Sequence, residues 1–316
     1  TPGPLLMGGL ALLALGLAWV TWRFVERPFR DRTRVSRKAI FVGTLAGIIT
    51  MGAIAVVTET TGGVSVRFPA AHREWVSKAP SELGDYVKSP FIKEIEGQFF
   101  PANKPSLLII GDSFAQDFYN IIRESGAFSG YVISGIYIPT VCQPYVGQES
   151  VDQFRAEADR PLCKRSALTG KSLERVQHAD IVIFASRWRD WSVERIAQTI
   201  EALAFKPTQQ VIVVSRKSFE PDPQKYLQMP ASSLASLRFK HNVNLTQKNA
   251  ALHNALPPKV IYIDIMKSLC GYGQDCPVFT PQGQLISHDG MHLTQAGAAF
   301  LGTVLFSQPL LRPFAP

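Results

Sequence analysis

Charge is scarce in this chain. Asp, Glu, Lys and Arg make up 18% of its 316 residues, and Pro4–Trp22 contains none of them. Cysteine is scarcer: there are four, and none precedes Cys142. No two have Cys-x-x-Cys spacing, which excludes a zinc ribbon or a thioredoxin-type motif. Gly (23) and Pro (22) are too few for a collagen-like or low-complexity chain. With 46% hydrophobic residues, disorder is excluded as well. There is no initiator Met, and no basic n-region precedes the first apolar run. A cleavable signal peptide is therefore not expected, and the chain reads as the C-terminal part of a longer membrane protein.

The averages mislead. A net charge of +8 points toward nucleic acid, and a mean hydropathy of +0.05 toward an ordinary soluble enzyme. Both properties are segregated along the chain. Pro4–Trp22 and Ala39–Val57 are charge-free runs of about 20 residues, the length that crosses a bilayer core as a helix. Between them, residues 23–38 carry Arg23, Arg27, Arg30, Arg32, Arg34, Arg37 and Lys38 against Glu26 and Asp31, a net +5 of the total +8. The positive-inside rule puts this loop in the cytoplasm and everything after the second span outside it. A DNA-binding patch is the weaker reading of the loop, because spans flank it and no nucleic-acid fold signature accompanies it. No nucleic-acid partner is expected.

The cysteines agree with that compartment. Cys142, Cys163, Cys270 and Cys276 all follow the second span, and an oxidising environment favours two disulfides. Of three connectivities, Cys142–Cys163 and Cys270–Cys276 close the shortest loops. Free buried thiols are the alternative.

Three regions are expected: residues 1–57 with two spans, a linker with one or two short helices over 58–105, and an α/β domain over 106–316. In the last, short Ile/Val/Leu runs alternate with amphipathic segments. Strands are expected at 106–110, 131–138, 181–185, 211–214 and 260–265, and helices at 114–124, 166–177, 192–204, 232–256 and 294–306. Near-continuous apolar strands between helices imply a parallel sheet covered on both faces. Function in such folds sits at the carboxyl ends of the strands.

The first expected strand ends in Gly111-Asp112-Ser113, directly before a helix. There Ser113 lies beside free backbone N–H groups, a setting that suits a nucleophile whose product is an oxyanion. Asp-Ser is also an ordinary helix cap. Ser287-His288-Asp289-Gly290-Met291-His292 precedes the last helix. His292 is placed to activate a serine, and Asp289 to fix its tautomer if the segment turns helically. His288 and His292 have the i, i+4 spacing of a zinc pair, but Gly290 interrupts it and no third ligand is evident, so no metal is expected. His72, His178, His241 and His253 read as surface residues.

GDS after the first strand, with Asp-x-x-His before the last helix, resembles the SGNH (GDSL-like) hydrolase superfamily over roughly Ser106–Pro316. The upstream span ending in WRFVERPFR, the basic loop and the second span resemble the end of the acyltransferase-3 membrane family. The combination is similar to bacterial acyltransferase-3–SGNH fusions, which include O-antigen and other cell-surface polysaccharide O-acetyltransferases. The resemblance implies a flavodoxin-like three-layer α/β sandwich behind two transmembrane helices. It implies a periplasmic domain on the bacterial inner membrane, with Ser113 as nucleophile, His292 as base and Asp289 as acid.

Gly135 is the nearest match to the family's oxyanion glycine. The usual Gly-x-Asn after the third strand is replaced by Ser186-Arg187-Trp188-Arg189-Asp190-Trp191. Arg187 or a backbone N–H is the expected substitute, and Trp188 and Trp191 are candidates to stack on a sugar. Aromatic packing is the alternative for both. No cofactor is expected in this part, with acetyl-CoA as the ultimate donor at the acyltransferase-3 domain. The expected partners are the membrane, that domain and a cell-envelope glycan. The leading expectation is O-acetyl transfer to that glycan. A membrane-anchored esterase and a non-catalytic glycan-binding module are the alternatives.

Overall fold

The computed structural model describes residues 4–27, 35–63, 65, 68, 73, 76, 78, 80–101, 103–227, 229–271 and 273–316. Arg30, Asp31, Arg32 and Arg34 of the basic segment, and most of residues 64–79 of the linker, His72 among them, lie outside the described residues. Two compact units make up the chain, Thr1–Val64 and Ser65–Pro316.

The first unit holds helices α1 (Pro4–Thr21), continued by a π-helical turn at Trp22–Glu26, and α2 (Arg37–Thr60). Ser36 caps α2 by accepting the Ala39 N–H at 3.2 Å. Both helices are long and apolar enough to cross a membrane. Their large apolar side chains, such as Leu5, Phe41 and Ile48, are exposed, a surface that lipid solvates and water does not. The hydroxyls of Thr21, Thr50 and Thr60 donate to carbonyls one turn back, at 2.8–2.9 Å. These three hydroxyls are thus satisfied within their own helices, as a hydrocarbon environment requires.

The second unit is built on five parallel strands: β1 (Ser106–Gly111), β2 (Val132–Tyr137), β3 (Ile181–Ala185), β4 (Gln210–Val214) and β6 (Ile261–Ile263). Their spatial order is β2-β1-β3-β4-β6, the flavodoxin-like order. Alternate side chains fill two separate cores. Leu107, Ile109, Ile183, Ile212 and Val214 pack with α4 (Ser113–Ser125) and α8 (Gln295–Phe306). Leu108, Ile110, Val182, Phe184 and Val213 pack with α5 (Lys171–His178), α6 (Ile196–Ala202) and α7 (Val243–Asn254). Two buried faces explain why the strands read as unbroken apolar runs. Disulfides join Cys142 to Cys163 and Cys270 to Cys276.

Helix α3 (Pro80–Pro90) and the π-helical turn Phe91–Ile95 also belong to this unit. Phe91 and Ile95 are buried against β2, and Gly97 N–H donates to the Gly135 carbonyl at 3.2 Å, covering the sheet's edge.

Three expected helices are corrected. The segment 232–256 is split into Ala231–Leu234 and α7 by β5 (Arg238–Lys240), which pairs antiparallel with β7 (Asp275–Pro277). Asn242 restarts the helix by capping the Asn244 N–H. The segment 166–177 begins only at Lys171, because Gly170 takes φ +52° before it. The segment 192–204 is a short helix at Asp190–Val193 followed by α6.

Candidate active site

β1 delivers Ser113 to the carboxyl edge of the sheet. Gly111 makes the tight exit possible: a Cβ there would lie 1.9 Å from the Ala185 carbonyl oxygen. Asp112 is fully buried and caps α4, accepting the Phe114 N–H at 3.0 Å. Ser113 is the first helical residue, at the positive end of the α4 dipole.

His292 arrives on the loop before α8. This loop is not helical but is closed by an antiparallel bridge between Ser287 and Leu293, and Asp289 still reaches the His292 ring. The Ser287 hydroxyl donates to the His292 carbonyl at 2.7 Å and accepts the Gly290 N–H at 3.1 Å. Gly290 takes φ +81°, and a Cβ there would meet Pro221 Cα at 2.8 Å. Asp289 Oδ1 accepts the N–H groups of Met291 (2.9 Å) and His292 (2.7 Å), an Asx turn.

Three side chains meet across 179 residues of sequence. His292 Nε2 is 2.9 Å from Ser113 Oγ, and His292 Nδ1 is 2.6 Å from Asp289 Oδ2. Burial disfavours the Asp289 carboxylate, but hydrogen bonds from the His292 ring and from two backbone N–H groups outweigh it. The carboxyl is held well below the usual range. Asp289 is therefore ionised at neutral pH and fixes the proton of His292 on Nδ1. That leaves the Nε2 lone pair facing the serine.

A buried ion pair beneath these residues was not anticipated from the sequence. Asp117, one turn after Ser113 on α4, and Lys217, three residues past β4, meet at 2.7 Å with 0% and 1% of their side chains exposed. Asp117 Oδ1 accepts the Leu293 N–H at 3.2 Å, and Lys217 Nζ donates to the Met291 carbonyl. The residues on both sides of His292 are thus tied to the helix that carries Ser113. The signal available in the sequence was an acidic residue on the apolar face of α4, with a lysine just beyond a strand end.

The other candidates fare differently. Gly135 lies inside β2, in register with Ile109, and the Phe91 ring fills the space its Cβ would take. Ser113 lies past the end of β1, so the structure does not bring Gly135 to it. Trp188 is buried and donates from Nε1 to the Val214 carbonyl at 2.8 Å. Trp191 is also buried, stacked on Phe154 with centroids 5.4 Å apart. Both tryptophans are packing residues, and neither is a platform for a sugar. Arg187 is joined to the β1–α4 turn through its backbone: its N–H is taken by the Asp112 carboxylate at 3.0–3.1 Å, and the residue is exposed. Gln143 holds the loops after β2 and β3 together. It accepts from Arg189 N–H and Ser192 Oγ, and donates to the carbonyls of Thr140 and Arg187.

Residues 86–306 match the family described as the SGNH domain fused to AT3 (acyltransferase-3) domains. The chain belongs to this family. Among solved structures, the periplasmic domain of a Salmonella ser. Paratyphi A lipopolysaccharide acetyltransferase aligns with a TM-score of 0.50 at 17% identity. The alignment covers 74% of this chain and 98% of that one. An inhibitor-bound aryl esterase of M. Smegmatis aligns with a TM-score of 0.33 at 15% identity, over 66% of this chain and 99% of that one. No curated protein matches the chain.

Proposed function

We propose that this SGNH unit transfers an acetyl group to a sugar hydroxyl of a cell-envelope polysaccharide of the O-antigen kind, working in the periplasm beside the bacterial inner membrane. The observation that carries the reading is the unbroken line of hydrogen bonds from Ser113 Oγ through His292 to Asp289. In the first half-reaction His292 Nε2 takes the Ser113 proton as Oγ attacks the acetyl carbonyl. The donor's leaving group then takes that proton from His292. In the second, a sugar hydroxyl gives its proton to His292 and attacks the acetyl-enzyme, and Ser113 Oγ leaves with the proton. The anionic Asp289 stabilises the imidazolium in both.

The oxyanion requires fixed donors. The Ser113 N–H at the start of α4 is one, and the exposed Arg187 guanidinium is the second. Acetyl-CoA is the ultimate donor, acting through the acyltransferase-3 portion to which this family's SGNH domains are fused. The extracytoplasmic location is supported by the disulfides, the two apolar helices and the basic residues between them. Water can replace the sugar, so slow ester hydrolysis is expected from the same site. The test is to incubate the detergent-solubilised chain with an activated acetyl ester. Mass spectrometry should find an acetyl adduct on the Ser113 peptide, and its absence would refute the scheme.

A further inference from the structure

We propose that the His288–Asp289–His292 loop is an inhibitory site for a divalent transition-metal cation of the zinc type. It rests on the same Ser113–His292 relay, but it adds a residue that the transfer reaction does not use. His288 Nε2 lies 3.8 Å from Asp289 Oδ2, too far for a hydrogen bond. Its Nδ1 is buried with no hydrogen-bond partner among the described residues. The ring runs within 24° of parallel to His292, with centroids 6.2 Å apart. A second imidazole is therefore held facing the acid without bonding to it.

Donor atoms of His288, Asp289 and His292 all lie within 4.8 Å of one another. Two imidazole nitrogens and one carboxylate oxygen form a set that binds zinc-like ions, with a fourth position left for water. The sequence offered only the two histidines, at a spacing that Gly290 spoils for a helix. The Asx turn brings in Asp289 as the third donor. Asp289 is 36% exposed and His292 22%, which gives an ion a route from solvent.

The consequence for the base follows from proton bookkeeping. A cation here replaces the proton shared by His292 Nδ1 and Asp289 Oδ2. A neutral imidazole has one N–H, so with metal on Nδ1 that proton moves, through solvent, to Nε2. Nε2 faces Ser113 Oγ and now has no lone pair to accept the serine proton. Transfer stops at its first step. No bond to carbon forms or breaks and no electron moves, so a chelator restores the enzyme.

The test uses the full chain in detergent with zinc ions and a chromogenic acetyl ester. Zinc should inhibit turnover and EDTA should restore it. His288→Ala and His288→Asn, each scaled to its own metal-free rate, should need about tenfold or more zinc for half-inhibition. No zinc inhibition of the native chain, or equal sensitivity in both variants, would overturn the site.

Cobalt binding, followed by its visible absorption, separates this proposal from the transfer reading. The native chain and the inactive Ser113→Ala variant should both give the cobalt spectrum, and the His288 variants should lose it. If the native chain hydrolyses no ester, the transfer reading fails while the cobalt result still decides the site. An unchanged spectrum in both His288 variants overturns it.

Discussion

The loops at the carboxyl edge of the sheet divide into two kinds. In the β1–α4 turn and the loop before α8, inward hydrogen bonds fix the backbone so that Ser113 Oγ and His292 Nε2 face each other. In the loops after β2 and β3, Gln143, Trp188 and Trp191 turn inward. Trp188 Nε1 bonds Val214, Gln143 bridges two loops, and the Arg187 N–H holds Asp112. The first pair of loops carries the nucleophile and its base, and the second, apart from the exposed Arg187 guanidinium, carries structure. Substitutions should therefore separate activity from stability according to which pair they touch.

The sharpest separation is expected at Ser113. Ser113→Ala should lower ester turnover by about 10³-fold or more, while stability stays within about 0.5 kcal/mol by chemical denaturation. A large loss of stability would break the distinction. The buried pair should couple the two properties. Asp117→Ala strands Lys217 as an unpaired buried charge and should cost about 3–5 kcal/mol. Replacing both members with Leu and Met should recover most of that stability. Turnover should stay low, because the Met291 carbonyl and Leu293 N–H lose their anchors. A double variant of native activity would show that the pair does not position His292.

Trp188→Leu should cost about 3 kcal/mol, since it opens a cavity and leaves the Val214 carbonyl unpaired. Its turnover per folded molecule should match the native chain. A selective loss of acetyl transfer to glycan would instead return Trp188 to the substrate site.

The smallest expected effect concerns pH. The folded-state pKa of Asp289 is depressed, so its contribution to stability is complete above the ordinary carboxyl range. It is lost as pH falls through the depressed value. Asp289→Asn should flatten the acid limb of a denaturation-versus-pH curve. An unchanged limb would mean that His292 does not hold the carboxylate.

The two kinds of loop also differ in how far the sequence revealed them. The strand cores were legible because both faces are buried: Ile181–Ala185 lies where the apolar run places it, and the other four strands differ by three residues or fewer at either end. Ser113, Asp289 and His292 were legible because each stands where a strand end or helix start concentrates chemistry.

The Arg-Trp segment misled because indole rings pack or bind with the same composition, and only the burial of the rings separates the two. Gly135 misled because a glycine that admits the Phe91 ring reads like one that lends an N–H to an oxyanion. The β5–β7 pair was invisible because three-residue strands carry no period. Their register depends on partners 35 residues or more away. Asp117–Lys217 is a pairing across 100 residues that no local pattern encodes.

The central claim is that Ser113 carries an acetyl group on its way to a surface glycan. The most direct measurement compares, by NMR, the O-acetyl content of envelope polysaccharide from cells with the native protein and from cells with Ser113→Ala at equal abundance. Loss of one acetyl resonance in the variant is the predicted result. An identical spectrum from both would contradict the account.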